Sequence, residues 1–235
     1  MIDREKVYGQ MTEGEKQTFD LMIDYGFVEE AKMMMEGDRM KKFELTTVSK
    51  MHLGRKLFRV KALISFGNVK EGELGGYIEK EDNLSQTSFS WVYGNAMVYG
   101  DAEVYDNAVV YGVAEVYDNA KVRGNAVVRG NAKIYDNAMV RGDAVVCHDA
   151  DYVTIHGFGS CYRTTTFFRC KNSSIKVACG CFFGTLGEFR TKVKDTHGDS
   201  KFAKEYLAIA DLMELHFSKE EAGIETVNGG HKTSD

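Results

Sequence analysis

Val92-Tyr-Gly-Asn-Ala-Met97 is the first of ten hexapeptides that follow one another without interruption to Asp151. Each hexapeptide begins with an apolar residue and carries an alanine four residues later. A fixed short period of this kind is the signature of a repeat architecture. The sequence therefore predicts a β-solenoid whose apolar positions are Val92, Val98, Val104, Val110, Val116, Val122, Val128, Ile134, Val140 and Val146.

The spacing also predicts how the repeats pack. Three hexapeptides would form one triangular coil, so that residues 18 positions apart stack on each other. Alternation along each short strand would then direct alanine and valine inward and their neighbours outward. The chain contains no proline. The corners are therefore left to Gly, Asn and Asp, which tolerate unusual backbone angles.

One outer face of the predicted prism is more apolar than the other two. Valines recur along it at the 18-residue spacing, and aromatic residues border them. An exposed apolar stripe is unusual on a monomer, so a second copy of the chain or another part of the same chain is expected to cover it. We expect self-association, as a homotrimer, through Trp91, Tyr93, Val109, Tyr111, Val127 and Val145.

The other two faces carry polar and aromatic residues. Tyr99, Tyr117 and Tyr135 would form a ladder on the second face, suited either to a half-buried strand surface or to stacking a ring. The stacking predicts two ion pairs, Glu115 with Lys133 and Glu103 with Lys121. A cationic cluster is expected on the third face and nearby, either facing an anion or serving as solvated charge: Arg123, Arg141, Lys121 and Arg129.

The segments that flank the repeat differ in character. Residues 1–40 show helical spacing and predict a helical hairpin, and residues 41–83 predict a β-rich cap for the solenoid of residues 84–156. Residues 157–217 predict an α+β domain, with a β-hairpin around Lys171–Ser174 and a capping box at Thr185 and Glu188. Residues 218–235 are polar and predict a disordered tail.

Composition excludes several classes of protein. No stretch approaches the roughly 18 apolar residues of a membrane span. The net charge of −5 argues against a general nucleic-acid-binding surface. Five cysteines without a secretory leader indicate free thiols in a reducing cytoplasm. We therefore expect a cytoplasmic protein that binds neither membranes nor nucleic acid.

Two resemblances extend this interpretation. Hexapeptides of this form resemble the hexapeptide-repeat superfamily, known from bacterial acyltransferases, and over residues 84–156 the resemblance implies a left-handed parallel β-helix. The layout of residues 42–217 also resembles uncharacterised hexapeptide-repeat proteins of bacteriophages and prophages, which implies a viral setting. The second resemblance is carried by Gly67-Asn-Val-Lys-Glu-Gly-Glu-Leu-Gly-Gly76, the Tyr-Gly-Asn-Ala hexapeptides, Thr164-Thr-Thr-Phe-Phe-Arg-Cys170 and Cys179-Gly-Cys-Phe182.

Catalysis and metal binding are weaker interpretations of the same sequence. An acyltransferase needs a general base beside a cleft, and His148 and His156 are the candidates. No long loop interrupts the coils to carry further catalytic groups, so no catalytic set is assigned and no cofactor is expected. The thiols lack the paired spacing of strong zinc motifs and are expected to be reduced rather than metal-bound: Cys161, Cys170, Cys179 and Cys181.

A non-enzymatic binding protein is the function that we expect. In a viral setting, it would inhibit a host defence component or sequester that component's nucleotide signal. A structural assembly element is a further alternative. For a nucleotide, hydroxyls and cations where the solenoid meets the C-terminal domain would bind phosphate oxygens. The expected ligand-binding residues are Arg163, Thr164, Thr165, Thr166, Arg169 and Lys176.

Overall fold

The computed structural model describes residues 41–218, together with Lys16 and Asp20. The predicted helical hairpin of residues 1–40 and the predicted tail beyond Ser218 lie outside the described residues. The described chain is mainly β-structure, with a β-solenoid at its centre and two α-helices near its C-terminal end.

An antiparallel meander forms the N-terminal side of the solenoid. It consists of β1 (Phe43–His52), β2 (Arg55–Ala62) and β3 (Leu74–Ile78). Gly75 and Gly76 allow β3 to lie directly on the first coil, because a Cβ on Gly76 would lie 2.6 Å from the carbonyl oxygen of Ala96. The meander therefore continues the solenoid rather than standing apart from it.

A buried lysine fastens this end of the molecule. Lys42 is only 3 % exposed, and its Nζ donates hydrogen bonds of 2.9 Å to the carbonyl oxygens of Ser88 and Ser90. Burial lowers the pKa of Lys42 well below its ordinary value, because the charged form loses hydration. A 3₁₀ turn, Glu81–Asn83, then leads into the solenoid, and buried Asn83 donates to the carbonyl oxygens of Gly100 and Ala102.

Ten two-residue strands form the solenoid. They stack in parallel in three rows, β4-β7-β10-β13, β6-β9-β12 and β5-β8-β11, and β3 of the meander pairs with β5 to extend the third row. Residues 18 positions apart are register partners, as Val109 and Val127 are, so the predicted stacking is confirmed. The strands are β4 (Trp91–Val92), β5 (Met97–Val98), β6 (Glu103–Val104), β7 (Val109–Val110), β8 (Glu115–Val116), β9 (Lys121–Val122), β10 (Val127–Val128), β11 (Lys133–Ile134), β12 (Met139–Val140) and β13 (Val145–Val146).

The inner faces of these strands make one continuous core. From Val92 to Val146, every alanine, valine and isoleucine at the predicted inward positions is exposed by 1 % or less. The strands of the solenoid are only two residues long. The chain already turns two residues after each inward valine, where Gly94 and Asp106 adopt positive φ angles of 62° and 58°.

The C-terminal region adds an antiparallel sheet and a helical pair. The sheet is ordered β14 (Tyr152–Ile155), β15 (Thr165–Arg169), β16 (Ile175–Cys179) and β17 (Phe182–Thr185), and it is followed by α1 (Leu186–His197) and α2 (Lys201–Phe217). The predicted hairpin and the capping box are confirmed. Within the described residues, neither helix is long and apolar enough to cross a bilayer.

Candidate binding surfaces of the solenoid

The predicted apolar stripe is present, and we call it the valine face. Val109, Val127 and Val145 are register partners on adjacent strands, and all three are half-buried at the outer surface. Val113, at the corner that follows Tyr111 on the same coil as Val109, is 56 % exposed. At the same position of the hexapeptide, all nine other repeats carry Asn or Asp. Val113 therefore extends the valine face where the repeat would place a polar side chain.

Trp91 does not belong to an exposed interface. It is 0 % exposed, because the N-terminal meander packs over it, with the ring centroids of Phe43 and Phe66 at 6.2 and 5.4 Å. Cover within the chain therefore accounts for this end of the stripe, and the predicted role of Trp91 in an oligomer interface has no exposed surface to support it. Tyr93 lies next to it, half-buried, with its ring 6.5 Å from that of Trp91. Tyr111 is also half-buried.

The tyrosine ladder forms as predicted, and we call Tyr99, Tyr117 and Tyr135 the tyrosine column. Their rings stack at 5.1 and 5.3 Å with interplanar angles of 4° and 13°. Tyr99 is 4 % exposed and Tyr135 is 41 % exposed, so the column runs from the interior to the surface. Each tyrosine ring therefore packs against the ring of the adjacent coil, and these contacts stabilise this face of the solenoid.

Glu115 is the centre of a polar cluster beside the tyrosine column. Its carboxylate accepts a 2.8 Å hydrogen bond from the Tyr99 hydroxyl, and His52 Nε2 lies 3.0 Å away. The predicted partner Lys133 lies 3.6 Å away. Burial raises the pKa of Glu115, but the hydrogen bonds from Tyr99 and His52 outweigh it and leave that pKa below its ordinary value.

The cationic cluster of the third face divides into two parts. Lys121 donates a 3.0 Å hydrogen bond to Glu103, as predicted. Arg123 and Arg141 instead lie against aromatic rings, with guanidinium carbons 5.8 Å from the Tyr105 ring centroid and 4.1 Å from that of Phe183. We call Tyr105, Arg123, Arg141 and Phe183 the arginine column. It lies where the solenoid meets the C-terminal sheet.

Two of the predicted ligand-binding hydroxyls are enclosed by the protein. Thr165 is 4 % exposed and Thr166 is 1 % exposed. The Thr166 hydroxyl oxygen accepts a 3.0 Å hydrogen bond from the Met139 amide, and the Thr165 hydroxyl lies 3.1 Å from Cys179 Sγ. The Thr166 hydroxyl therefore joins the C-terminal sheet to the solenoid, and the Thr165 hydroxyl contacts the neighbouring strand β16 of the same sheet. A role of either hydroxyl in ligand binding stays a prediction.

The predicted ligand-binding cations are partly engaged within the chain. Arg169 Nε lies 3.3 Å from Asp151, and Lys176 Nζ lies 2.7 Å from Asp143. Arg163 is exposed and its guanidinium rests on Gly180, where an added Cβ would come within 2.6 Å of Nη1. Thr164 is half-buried beside it. Lys176 faces the solenoid whereas Arg169 also reaches the carbonyl oxygen of Phe217 in α2, so these residues lie on opposite faces of the sheet and do not converge on a single point.

The candidate base and thiol residues are dispersed. His148 lies at the surface with its side chain 72 % exposed, 3.7 Å from Asp151, and His156 is also exposed. Burial raises the pKa of the Cys170 thiol to about 11, which favours the protonated thiol. Within residues 41–218, no three His, Cys, Asp or Glu side chains lie close enough together to hold a metal ion.

Comparison with known proteins supports the repeat architecture. A family model described as the YdcK beta solenoid repeat matches residues 132–148, which span the last coils of the solenoid. A search of curated proteins finds no match to the chain. The chain is therefore similar to a β-solenoid repeat over these residues, in agreement with the observed stacking.

Proposed function

We propose that this protein is a non-enzymatic binding protein that acts as a homotrimer, with the valine face as the subunit interface. The observation that carries the proposal is Val113. Its side chain is 56 % exposed at the corner that follows Tyr111, on the same coil as Val109. Burial of such a patch against a second copy removes apolar area from water and stabilises the assembly.

The interface proposed here is smaller than the sequence suggests. It comprises Val109, Val113, Val127 and Val145, with Tyr111 at its border, whereas Trp91 is enclosed within the subunit. The coil is proposed to be left-handed, from the resemblance to the hexapeptide-repeat superfamily. A solenoid holds its surface side chains in fixed register, so little conformational entropy is lost when a partner binds.

The target proposed for this trimer is a host defence component or its nucleotide signal. This part of the proposal depends on the resemblance to bacteriophage hexapeptide-repeat proteins. The protein would act by binding its target or the nucleotide, without catalysing a reaction. A nucleotide signal is favoured by the arginine column, whose guanidinium groups suit phosphate oxygens.

Native mass spectrometry of the full chain tests the oligomer. We expect a trimer for the wild type and a monomer for Val127→Asp, because an isolated carboxylate at the centre of the valine face would lose its hydration in the interface. Val113→Asn restores the usual corner residue and is expected to weaken the trimer without disturbing the coil.

Tyr135→Asn serves as the matched control, since Tyr135 is also an exposed apolar residue but lies on the tyrosine column. It should leave the trimer intact. A wild-type monomer would contradict the proposal. If Val127→Asp and Val113→Asn both remain trimeric and only Tyr135→Asn dissociates, the interface lies on the face of the tyrosine column and not on the valine face.

A further inference from the structure

Two arginines on adjacent coils form a like-charge pair. Arg123 and Arg141 each follow the inward valine of register partners on β9 and β12, so their backbones are separated by about 4.8 Å, the usual distance between paired strands. Like charges in such positions repel each other and destabilise a sheet. Within residues 41–218, neither arginine forms an ion pair that would offset this repulsion.

The carboxylates around this pair are already engaged. Glu103 binds Lys121 at 3.0 Å, and Asp143 binds Lys176 at 2.7 Å. Asp106 accepts a 3.0 Å hydrogen bond from the Gly124 amide. Burial, and then the neighbouring charge of Arg123, lower the pKa of Arg141 from its ordinary value. The two guanidinium groups therefore form a local positive site on a chain whose net charge is −5.

The arginine column is also organised in advance of binding. Phe183 fixes Arg141 at 4.1 Å, and Phe183 is itself held by stacking on Phe168 at 6.3 Å. Gly142 lets that ring approach the coil, because a Cβ there would lie 2.7 Å from Phe183 Cζ. A guanidinium that stacks on a ring through its flat face keeps its N–H donors in the plane, where they can bind an oxyanion.

We infer that Arg123 and Arg141 bind the phosphate group of a small-molecule ligand. The fork of N–H donors on each guanidinium matches phosphate oxygens, and a doubly charged phosphate between the two groups cancels their mutual repulsion. The half-buried Tyr105 ring at the other end of the column offers a surface for a flat ring attached to that phosphate. This inference deepens the proposed function and rests on it for its biological role.

Isothermal titration of the full chain with inorganic pyrophosphate and with ADP tests the site. The wild type is expected to bind at least one of the two probes. Arg123→Gln and Arg141→Gln should each weaken binding roughly tenfold or more, as expected for loss of a charged hydrogen-bonding partner. Arg141→Lys keeps the charge but loses the fork, so its affinity should fall between those of the wild type and Arg141→Gln.

Arg129→Gln provides the matched control. It removes the same charge from the solenoid, but Arg129 follows Val128 on the valine side and its Nε lies 3.0 Å from Cys147 Sγ. Its affinity for the probe should equal that of the wild type. Absence of binding to both probes, or an equal loss in Arg129→Gln and Arg141→Gln, would overturn the inference.

The two probes separate the possible sources of the phosphate. Tighter binding of ADP, with that advantage lost in Tyr105→Leu, would assign a nucleotide-like ligand. Equal binding of both probes would assign a free oxyanion. Native mass spectrometry of the same Arg141→Gln sample separates this inference from the oligomer, since the trimer should persist. If the wild type is a monomer and still binds phosphate, the proposed trimer is contradicted but the proposed phosphate site is supported.

Discussion

The tyrosine column and the arginine column occupy equivalent positions of the repeat but have opposite electrostatic environments. In both, the column residues that belong to the solenoid directly follow the inward valine or isoleucine of their hexapeptide. At the tyrosine column, the β1–β2 hairpin brings His52 to Glu115, and Lys133 completes the cluster. At the arginine column, the C-terminal sheet supplies the Phe183 ring and no carboxylate. The elements that cover the solenoid therefore decide which of its surfaces is neutralised.

The largest effect that this comparison predicts is at Glu115. Its side chain is 12 % exposed and accepts a hydrogen bond from the buried Tyr99 hydroxyl. Glu115→Gln should reduce the free energy of unfolding by about 1–3 kcal/mol, because the charged partner of these groups is lost. Urea unfolding followed by circular dichroism measures this change.

Glu103→Gln is the control for that substitution. Glu103 also pairs with a lysine on the next coil, Lys121, but its side chain is 45 % exposed. Exposed ion pairs contribute little, so the cost should stay below about 1 kcal/mol. Equal losses in the two variants would show that the hairpin contacts add nothing to the cluster, and the contrast between the columns would fail.

A smaller effect is expected on the pH dependence of stability. The pKa of Glu115 is lower in the folded protein than its ordinary value, so the unfolded chain takes up a proton first as the pH falls. The stabilisation is complete above pH ~4.5, the ordinary range of a glutamate, and is lost as the pH falls through the lower folded pKa. Lys50, Lys133 and His52 also face this carboxylate.

Urea midpoints between pH 7 and pH 3 measure this dependence. The wild type should lose its advantage over Glu115→Gln across the acidic part of the range, so that the two curves converge. Parallel curves down to pH 3 would mean that Glu115 has the same pKa in the folded and unfolded chains. In that case, the hydrogen bonds that Glu115 accepts would make no pH-dependent contribution to the free energy of unfolding.

The repeat made much of this structure predictable from the sequence. A period of six fixes which residues face inward, and stacking at 18 residues places Glu115 over Lys133 and Glu103 beside Lys121. These are consequences of spacing alone, and no distant contact is needed to derive them. The tyrosine column follows from the same argument.

The remaining features depend on contacts between segments far apart in the sequence. Burial of Trp91 requires the meander to fold over the first coil, and burial of Thr166 requires the C-terminal sheet to dock against β12. The approach of His52 to Glu115 spans 63 residues. Phe183 reaches Arg141 in the same way. Periodicity carries no information about such docking, so these contacts could not be derived from the repeat.

The smallest expected effect, and the one that completes the comparison, is at Arg123. Arg123→Gln removes a cation–π contact with Tyr105 and also removes the repulsion from Arg141. Both contributions are of order 0.5–1 kcal/mol, so they largely cancel, and the free energy of unfolding should change by less than about 0.5 kcal/mol.

Saturating pyrophosphate should separate the variant from the wild type in the same unfolding experiment. A ligand at 100 times its Kd stabilises the folded state by about 2.7 kcal/mol, and only a protein that binds it gains this amount. The wild type should therefore become more stable, and Arg123→Gln should not. If Arg123→Gln lowers the free energy of unfolding as much as Glu115→Gln does in the absence of ligand, Arg123 stabilises the fold as Glu115 does. If Arg123→Gln changes the free energy of unfolding only when pyrophosphate is present, the positive charge of the arginine column serves a ligand rather than the fold.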